Sequence, residues 1–179
     1  LMMEVIMRQE TVGVTENLLK SATEEFLEKG FTNASLRNIS AKSGVSTNSI
    51  YTRFKDKEGL FSAIVKETAD GLMDIYLESI QKATYSPNLN QANHEGEEGT
   101  YFVLDYIYQH FTDFKLIFCC STGSKYEHFL DQLGEIEESY YQELVEKYGK
   151  AEFTVDRFFI HVFCRAGWQT MYELVAHDR

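Results

Sequence analysis

SLRNISAKSGVSTNSIYTRFKDKEGL, residues 35–60, reads as two short helices joined by a glycine turn and followed at once by a third. Ser35 is an N-cap residue type, and Leu36 and Ile39 recur at helical spacing. Gly44 has the backbone freedom a tight turn requires, and Val45 follows as an apolar plug. Ser46 can cap the next helix, whose Ile50 and Phe54 face inward four residues apart. That leaves Thr47, Asn48, Ser49, Tyr51 and Arg53 largely outward. Hydroxyls, an amide, a phenol and a guanidinium on one exposed helix face suit phosphates and base edges, so the stretch is expected to be a helix-turn-helix that reads DNA.

Working outward, the pattern runs continuously from about residue 14 to about residue 65. Phe26, Gly30 and Phe31 end a first helix. Ser35 opens the second, Gly44-Val45-Ser46 makes the turn, and Tyr51, Phe54, Lys57, Glu58 and Leu60 close the unit. These residues and spacings resemble the N-terminal domain of TetR-family transcriptional regulators, over roughly the first third of the chain. Two departures fall where small residues usually pack, Ser40 and Ser43, and both are conservative in volume.

Taken as a sum, the formal net charge of -11 on the 179-residue chain opposes DNA binding. Its distribution removes the objection. Residues 1–60 hold eight Lys and Arg against eight Asp and Glu, and residues 61–179 hold nine against twenty. Between Ser35 and Lys57, five basic residues face Asp56 alone, a local balance of +4. Screening confines phosphate attraction to about 8 Å at physiological salt, so a basic tip on an acidic body can bind DNA.

A single proline and many helix formers at helical spacing predict an all-α protein. Residues 1–60 are expected to form a three-helix DNA-binding domain with a short N-terminal arm whose only basic residue is Arg8. Residues 61–179 are expected to form a helical ligand-sensing and dimerisation domain. The first helix is placed at about 15–29, a long connector at about 57–83, and later helices at about 100–114, 116–120, 125–148 and 154–176. Residues 85–99, YSPNLNQANHEGEEG, are polar and without apolar period, and are expected to be a flexible loop. The last helix carries Phe158, Phe159, Val162, Phe163, Ala166, Trp168 and Tyr172, and is expected to be buried on several sides.

Several classes of chemistry are not encoded. No apolar run is long enough to cross a bilayer, and the start lacks the pattern of a secretory signal. Cys119, Cys120 and Cys164 are odd in number, as expected of reduced cytoplasmic thiols. His110, His128 and His161 fall on different expected helices, without metal-ligand spacing. No nucleophile elbow or phosphate-cradling loop occurs, and Gly123-Ser124-Lys125 reads as a plain turn. No enzymatic activity, metal or cofactor is expected.

The resemblance implies a homodimeric, ligand-responsive repressor that binds a near-palindromic double-stranded DNA operator in the cytoplasm and answers to a small-molecule effector. It places Tyr51 and Lys57 near phosphates. Thr47, Asn48 and Ser49 open the reading helix, where base contacts concentrate. Ser35, Arg37, Ser46 and Arg53 complete the candidate DNA-contacting set. The aromatic residues Phe102, Tyr106, Phe118, Tyr126, Phe129, Trp168 and Tyr172 are candidates for a ligand cavity, against the simpler reading of each as core. Phe111 belongs to the same aromatic set. The rival reading is a protein-interaction co-regulator that keeps the fold without contacting DNA.

Overall fold

The computed structural model describes residues 2–149 and 155–179, with side chains from Gly13 onward. The side chain of Arg8, and with it the expected arm contact, lies outside the described part, as does Thr154, the expected start of the last helix. The described chain is helical: α1 (Met2–Asn33), α2 (Leu36–Ser43), α3 (Thr47–Phe54), α4 (Lys57–Thr84), α5 (Leu89–Gln109), α6 (Phe111–Cys119), α7 (Phe129–Tyr148) and α8 (Arg157–Ala176). Two compact units result. The first takes the described residues up to Glu67 together with Lys115–Glu127, and the second takes Thr68–Phe114 and His128–Arg179.

The first unit is built on an aromatic cluster that the helix-turn-helix spacing brings together. Phe26 of α1 meets Phe61 of α4 edge-on at 4.9 Å between ring centres, and Phe31 meets Phe61 at 5.3 Å. Tyr126 adds a fourth ring 5.9 Å from Phe61. Leu18, Ile39, Ile50 and Leu60 are fully buried around these rings, as their spacing requires. Gly30, with φ 69°, breaks α1 before its last turn. There the Phe31 amide donates to the Cys120 carbonyl at 2.7 Å, tying residues 115–127 to the helix-turn-helix.

The second unit departs from expectation in two places. Residues 89–99, expected as loop, are the first half of α5. The Asn88 side chain caps the helix by accepting from the Gln91 amide at 3.0 Å, and Gln91 pairs with Glu95 one turn on. The buried stripe of this half is Ala92 and Gly99, too small to register as an apolar period. At Gly99 a Cβ would come 2.7 Å from the Ser79 side chain, so glycine there is a packing residue between α5 and α4, not a loop signal.

The second departure is α8, which is not buried on several sides. Ile160, Cys164, Trp168 and Val175 face inward. Phe158 and Phe159 are 71% and 63% exposed, with Val162 and Phe163 about half exposed beside them. Helix α8 packs on α7, where Arg165 pairs with Asp131 and reaches Glu138 at 3.5 Å, while His161 meets Glu138 at 2.8 Å. An apolar helix face demands burial, but its sequence does not say whether its own chain supplies it.

Candidate nucleic-acid interface

Turn and caps place the reading helix. Gly44 adopts φ 71° and its amide closes α2 onto the Ser40 carbonyl, where any other residue would be strained. The Ser43 hydroxyl accepts from the Val45 amide, and the Asn17 side chain of α1 donates to the Ser43 carbonyl at 3.0 Å. Ser46 caps α3 as its position requires, accepting from the Ser49 amide at 3.2 Å. Ser35 occupies the N-cap position of α2 but makes no side-chain capping bond. Its own amide donates to Glu25 of α1, so α2 is anchored at its start by that carboxylate and not by a serine cap.

Glu25 is the buried hub of this arrangement, only 2% exposed. Burial by itself would raise its carboxyl pKa. Hydrogen bonds from the Asn38 amide and the Ser35 main chain, with Lys42 at 3.6 Å, outweigh that and hold it below the usual glutamate value. Helix α2 is thereby fixed to α1 through one ionised group. Neither Glu25 nor Asn38 was singled out by sequence reading. A glutamate on the apolar stripe of α1, three residues after Ala22, was the available signal.

The outward face of α3 carries what its spacing predicted. Asn48 and Tyr51 are exposed, Thr47 and Ser49 half-buried, and Ile50 fully buried on the opposite side. Arg53 is exposed and donates to the Thr15 hydroxyl at 3.0 Å, which steadies its guanidinium against α1. Arg37 and Ser46 are also exposed, so the basic and polar groups of α2 and α3 are accessible together.

Lys57 has a more defined setting than a solvated lysine. Its ammonium donates to the main-chain carbonyls of Thr32 at 2.9 Å and Ala34 at 3.2 Å, and lies 4.8 Å from the centre of the Phe31 ring. Two carbonyls and a ring face offset the unfavourable position of a cation in the first turn of α4. Of its three donors, these bonds use two.

Within the second unit lies a cavity of about 460 Å³. Its walls come from α4, α5, α7 and α8, among them Tyr76, Ile80, Val103, Glu137, Tyr141 and Trp168. Of the seven aromatic candidates for such a cavity, Trp168 lines it. Phe118 and Tyr126 belong instead to the first unit, where both are buried. Phe129 is core, Phe102 is 58% exposed, Tyr172 is half-buried off the wall, and the Tyr106 ring packs over Gly71 of α4. Residues 85–99, expected as loop, supply Ala92, Asn93 and Gly96 to the wall.

Several polar side chains line the cavity, among them Ser79, Asn93, Glu97, Thr100 and Glu137. Burial pushes the Glu137 carboxyl up to about 7, against a smaller opposing effect of the Trp168 indole N–H. Burial also raises Tyr141 to about 12, with the nearby Glu137 adding to it. The Tyr76 hydroxyl and the Trp168 Nε1 are buried without a hydrogen-bond partner. Among the described residues no helix is long and apolar enough to cross a membrane, and no group of three or more His, Cys, Asp or Glu could hold a metal ion.

Residues 18–64 match the family described as bacterial regulatory proteins, tetR family. The uncharacterised HTH-type transcriptional regulator YvdT of Bacillus subtilis is 28% identical over 152 residues, covering 81% of this chain and 70% of that protein. A protein assigned to the TetR-family transcriptional regulators from Syntrophomonas wolfei superposes with a TM-score of 0.52 at 16% identity, over 91% of this chain and 96% of that one. The fatty acid degradation regulator FadR of Bacillus halodurans gives a TM-score of 0.51 at 14% identity, over 92% and 88%. At 14–16% identity the likeness to these two structures shows a shared fold alone.

Proposed function

This chain belongs to the TetR family of transcriptional regulators with a DNA-binding helix-turn-helix, and from that premise we propose a homodimeric, cytoplasmic repressor released from a near-palindromic operator by a small molecule. The observation that carries the proposal is on one helix. Helix α4 bears Lys57 in its first turn and lines the cavity with Tyr76, Ser79, Ile80 and Ala83 toward its end. A ligand that alters the packing of its last turns acts on the helix that also carries a candidate DNA contact.

In this reading Thr47, Asn48 and Ser49 meet base edges, and Tyr51, Lys57, Arg37 and Arg53 meet phosphates, with Ser35 and Ser46 at the helix starts. The exposed Phe158, Phe159, Val162 and Phe163 favour a partner on α8. Ala166, Gly167 and Thr170 continue that exposed face with small side chains, which allow close helix approach. A second copy is self-complementary there under two-fold symmetry and presents two reading helices to major grooves about 34–36 Å apart or a multiple of it. For near-complete release the ligand must prefer the non-binding state by about 10⁴-fold.

Sedimentation of the intact chain and of Phe159→Glu tests the dimer, and a gel shift with the DNA upstream of its own gene tests operator binding. The expected result is a dimer that shifts DNA at low salt and a variant that is monomeric and shifts it weakly. A monomeric parent overturns the dimer. Absence of any shift at low salt favours the co-regulator reading.

A further inference from the structure

We propose that the cavity of the second unit takes a lipophilic cation, an aromatic body bearing one amine or quaternary ammonium, with its charge against Glu137 and its body among Tyr76, Tyr141, Phe163 and Trp168. The proposal deepens the ligand-responsive reading and rests on it only for the consequence at DNA.

Charge decides the sign of the ligand. The wall includes Glu97 and Glu137 and no Lys, Arg or His. An anionic ligand would enter a space whose only ionisable charges repel it. Beside a neutral one Glu137 still carries the desolvation penalty of ionising, which its raised pKa reflects. A cation removes that penalty, because an opposite charge favours ionisation of a buried carboxyl.

Shape and chemistry of the wall point the same way. Tyr76 and Trp168 stand perpendicular at 5.2 Å between ring centres, and Tyr141 and Phe163 do so at 5.6 Å. Four rings in two crossed pairs offer π-faces to a cation in more than one orientation. A cavity of about 460 Å³ accepts a body of two or three fused or linked rings.

The unpartnered polar atoms supply the independent observation. Trp168 Nε1 can only donate, and Tyr76 offers a hydroxyl; both side chains are more than nine-tenths buried, and neither polar atom makes a hydrogen bond of normal geometry, although the indole lies near both the Tyr76 hydroxyl and the Glu137 carboxyl. Buried groups of this kind are rarely left unpaired without a functional reason. The indole N–H already influences the Glu137 carboxyl. A bound cation that keeps Glu137 ionised provides the indole with its acceptor.

Trp168 is the only tryptophan in the chain, so its fluorescence reports the site directly. Three probes share one aromatic body: (4-biphenylmethyl)trimethylammonium, 4-biphenylmethanol and 4-biphenylacetate. Titrated into the full-length protein at pH 8, the ammonium is expected to quench Trp168 with at least tenfold lower Kd than either of the others. Glu137→Gln should weaken it at least tenfold, and Glu137→Asp should retain the preference, while circular dichroism of both variants verifies the helical fold. Tighter binding of the alcohol or acetate, an undiminished preference in Glu137→Gln, or no quenching by any probe would overturn the assignment. A gel shift with the bound ammonium separates the two readings. Cation-selective quenching without DNA release leaves this assignment standing and sinks ligand-released repression, whereas release by the acetate alone does the reverse.

Discussion

Lys57 Nζ donates to the carbonyl oxygen of Thr32 at 2.9 Å, joining the start of α4 to the end of α1 across 25 residues of chain. With the second bond to Ala34, the ammonium closes the turn that α1 and α2 share. Lys57→Ala is therefore expected to act twice. It should lower stability by about 1–2 kcal/mol through the lost charge-assisted bonds. It should also weaken binding to all DNA sequences and reduce the salt slope by about one. Denaturant unfolding reads the first effect and salt titration of DNA affinity the second; a changed stability with an unchanged slope would make Lys57 a brace alone.

Neighbouring residues at the start of α3 should separate cleanly. Ser46→Ala removes the bond to the Ser49 amide and is expected to cost about 1 kcal/mol of stability. Asn48→Ala should leave thermal unfolding nearly unchanged and relax discrimination among operator variants by about 1–3 kcal/mol at one base pair. Equal loss of affinity across all variants would reassign Asn48 to the phosphates.

Lys55, at the end of α3, holds φ 71° and ψ -51°, a backbone region that disfavours side chains. Lys55→Gly is expected to stabilise the chain by about 1 kcal/mol while weakening DNA binding through the lost charge. Lys55→Ala loses the same charge and keeps the strain, so comparing the two melting curves isolates the backbone contribution. If both variants melt alike, strain at this position is negligible.

The half-buried carboxyl of Glu137 makes a prediction about pH. Its folded value, about 7, lies above the ordinary glutamate value of 4.5. Between those values the folded state binds more protons than the unfolded one, so this group's contribution to stability declines as pH rises from 4.5 and levels off above 7. Glu137→Gln should remove that part of the decline, and thermal unfolding from pH 4.5 to 8 measures it. Parallel melting profiles for parent and variant would show that Glu137 ionises normally.

The helix-turn-helix was legible because each of its decisions is local. Gly44 needs a particular φ, Ser46 needs a particular amide, and Ile50 and Phe54 share one face of a two-turn helix. The first half of α5 was not legible, because Ala92 and Gly99 serve close packing rather than apolar periodicity. Ser35 shows the same limit in miniature: its residue type suggests a cap, but its hydroxyl makes no capping bond and its own amide is held by Glu25, ten positions earlier. Of the seven aromatic candidates Trp168 alone lines the cavity, for a related reason. Phe118, Tyr126 and Trp168 are equally apolar in sequence, and only the path of residues 115–127 assigns the first two to a different unit from the third.

That path sets a rule for anyone building hybrid sensors from this protein. A graft of residues 1–67 onto a foreign receptor would leave behind Cys120, whose carbonyl receives the Phe31 amide, and Tyr126, which completes the ring cluster on Phe61. The transplanted head would have an orphaned main-chain donor and an uncovered aromatic face. Its modularity is real only at the level of two strands of chain, so a workable exchange must carry residues 115–127 along or redesign the surface they cover.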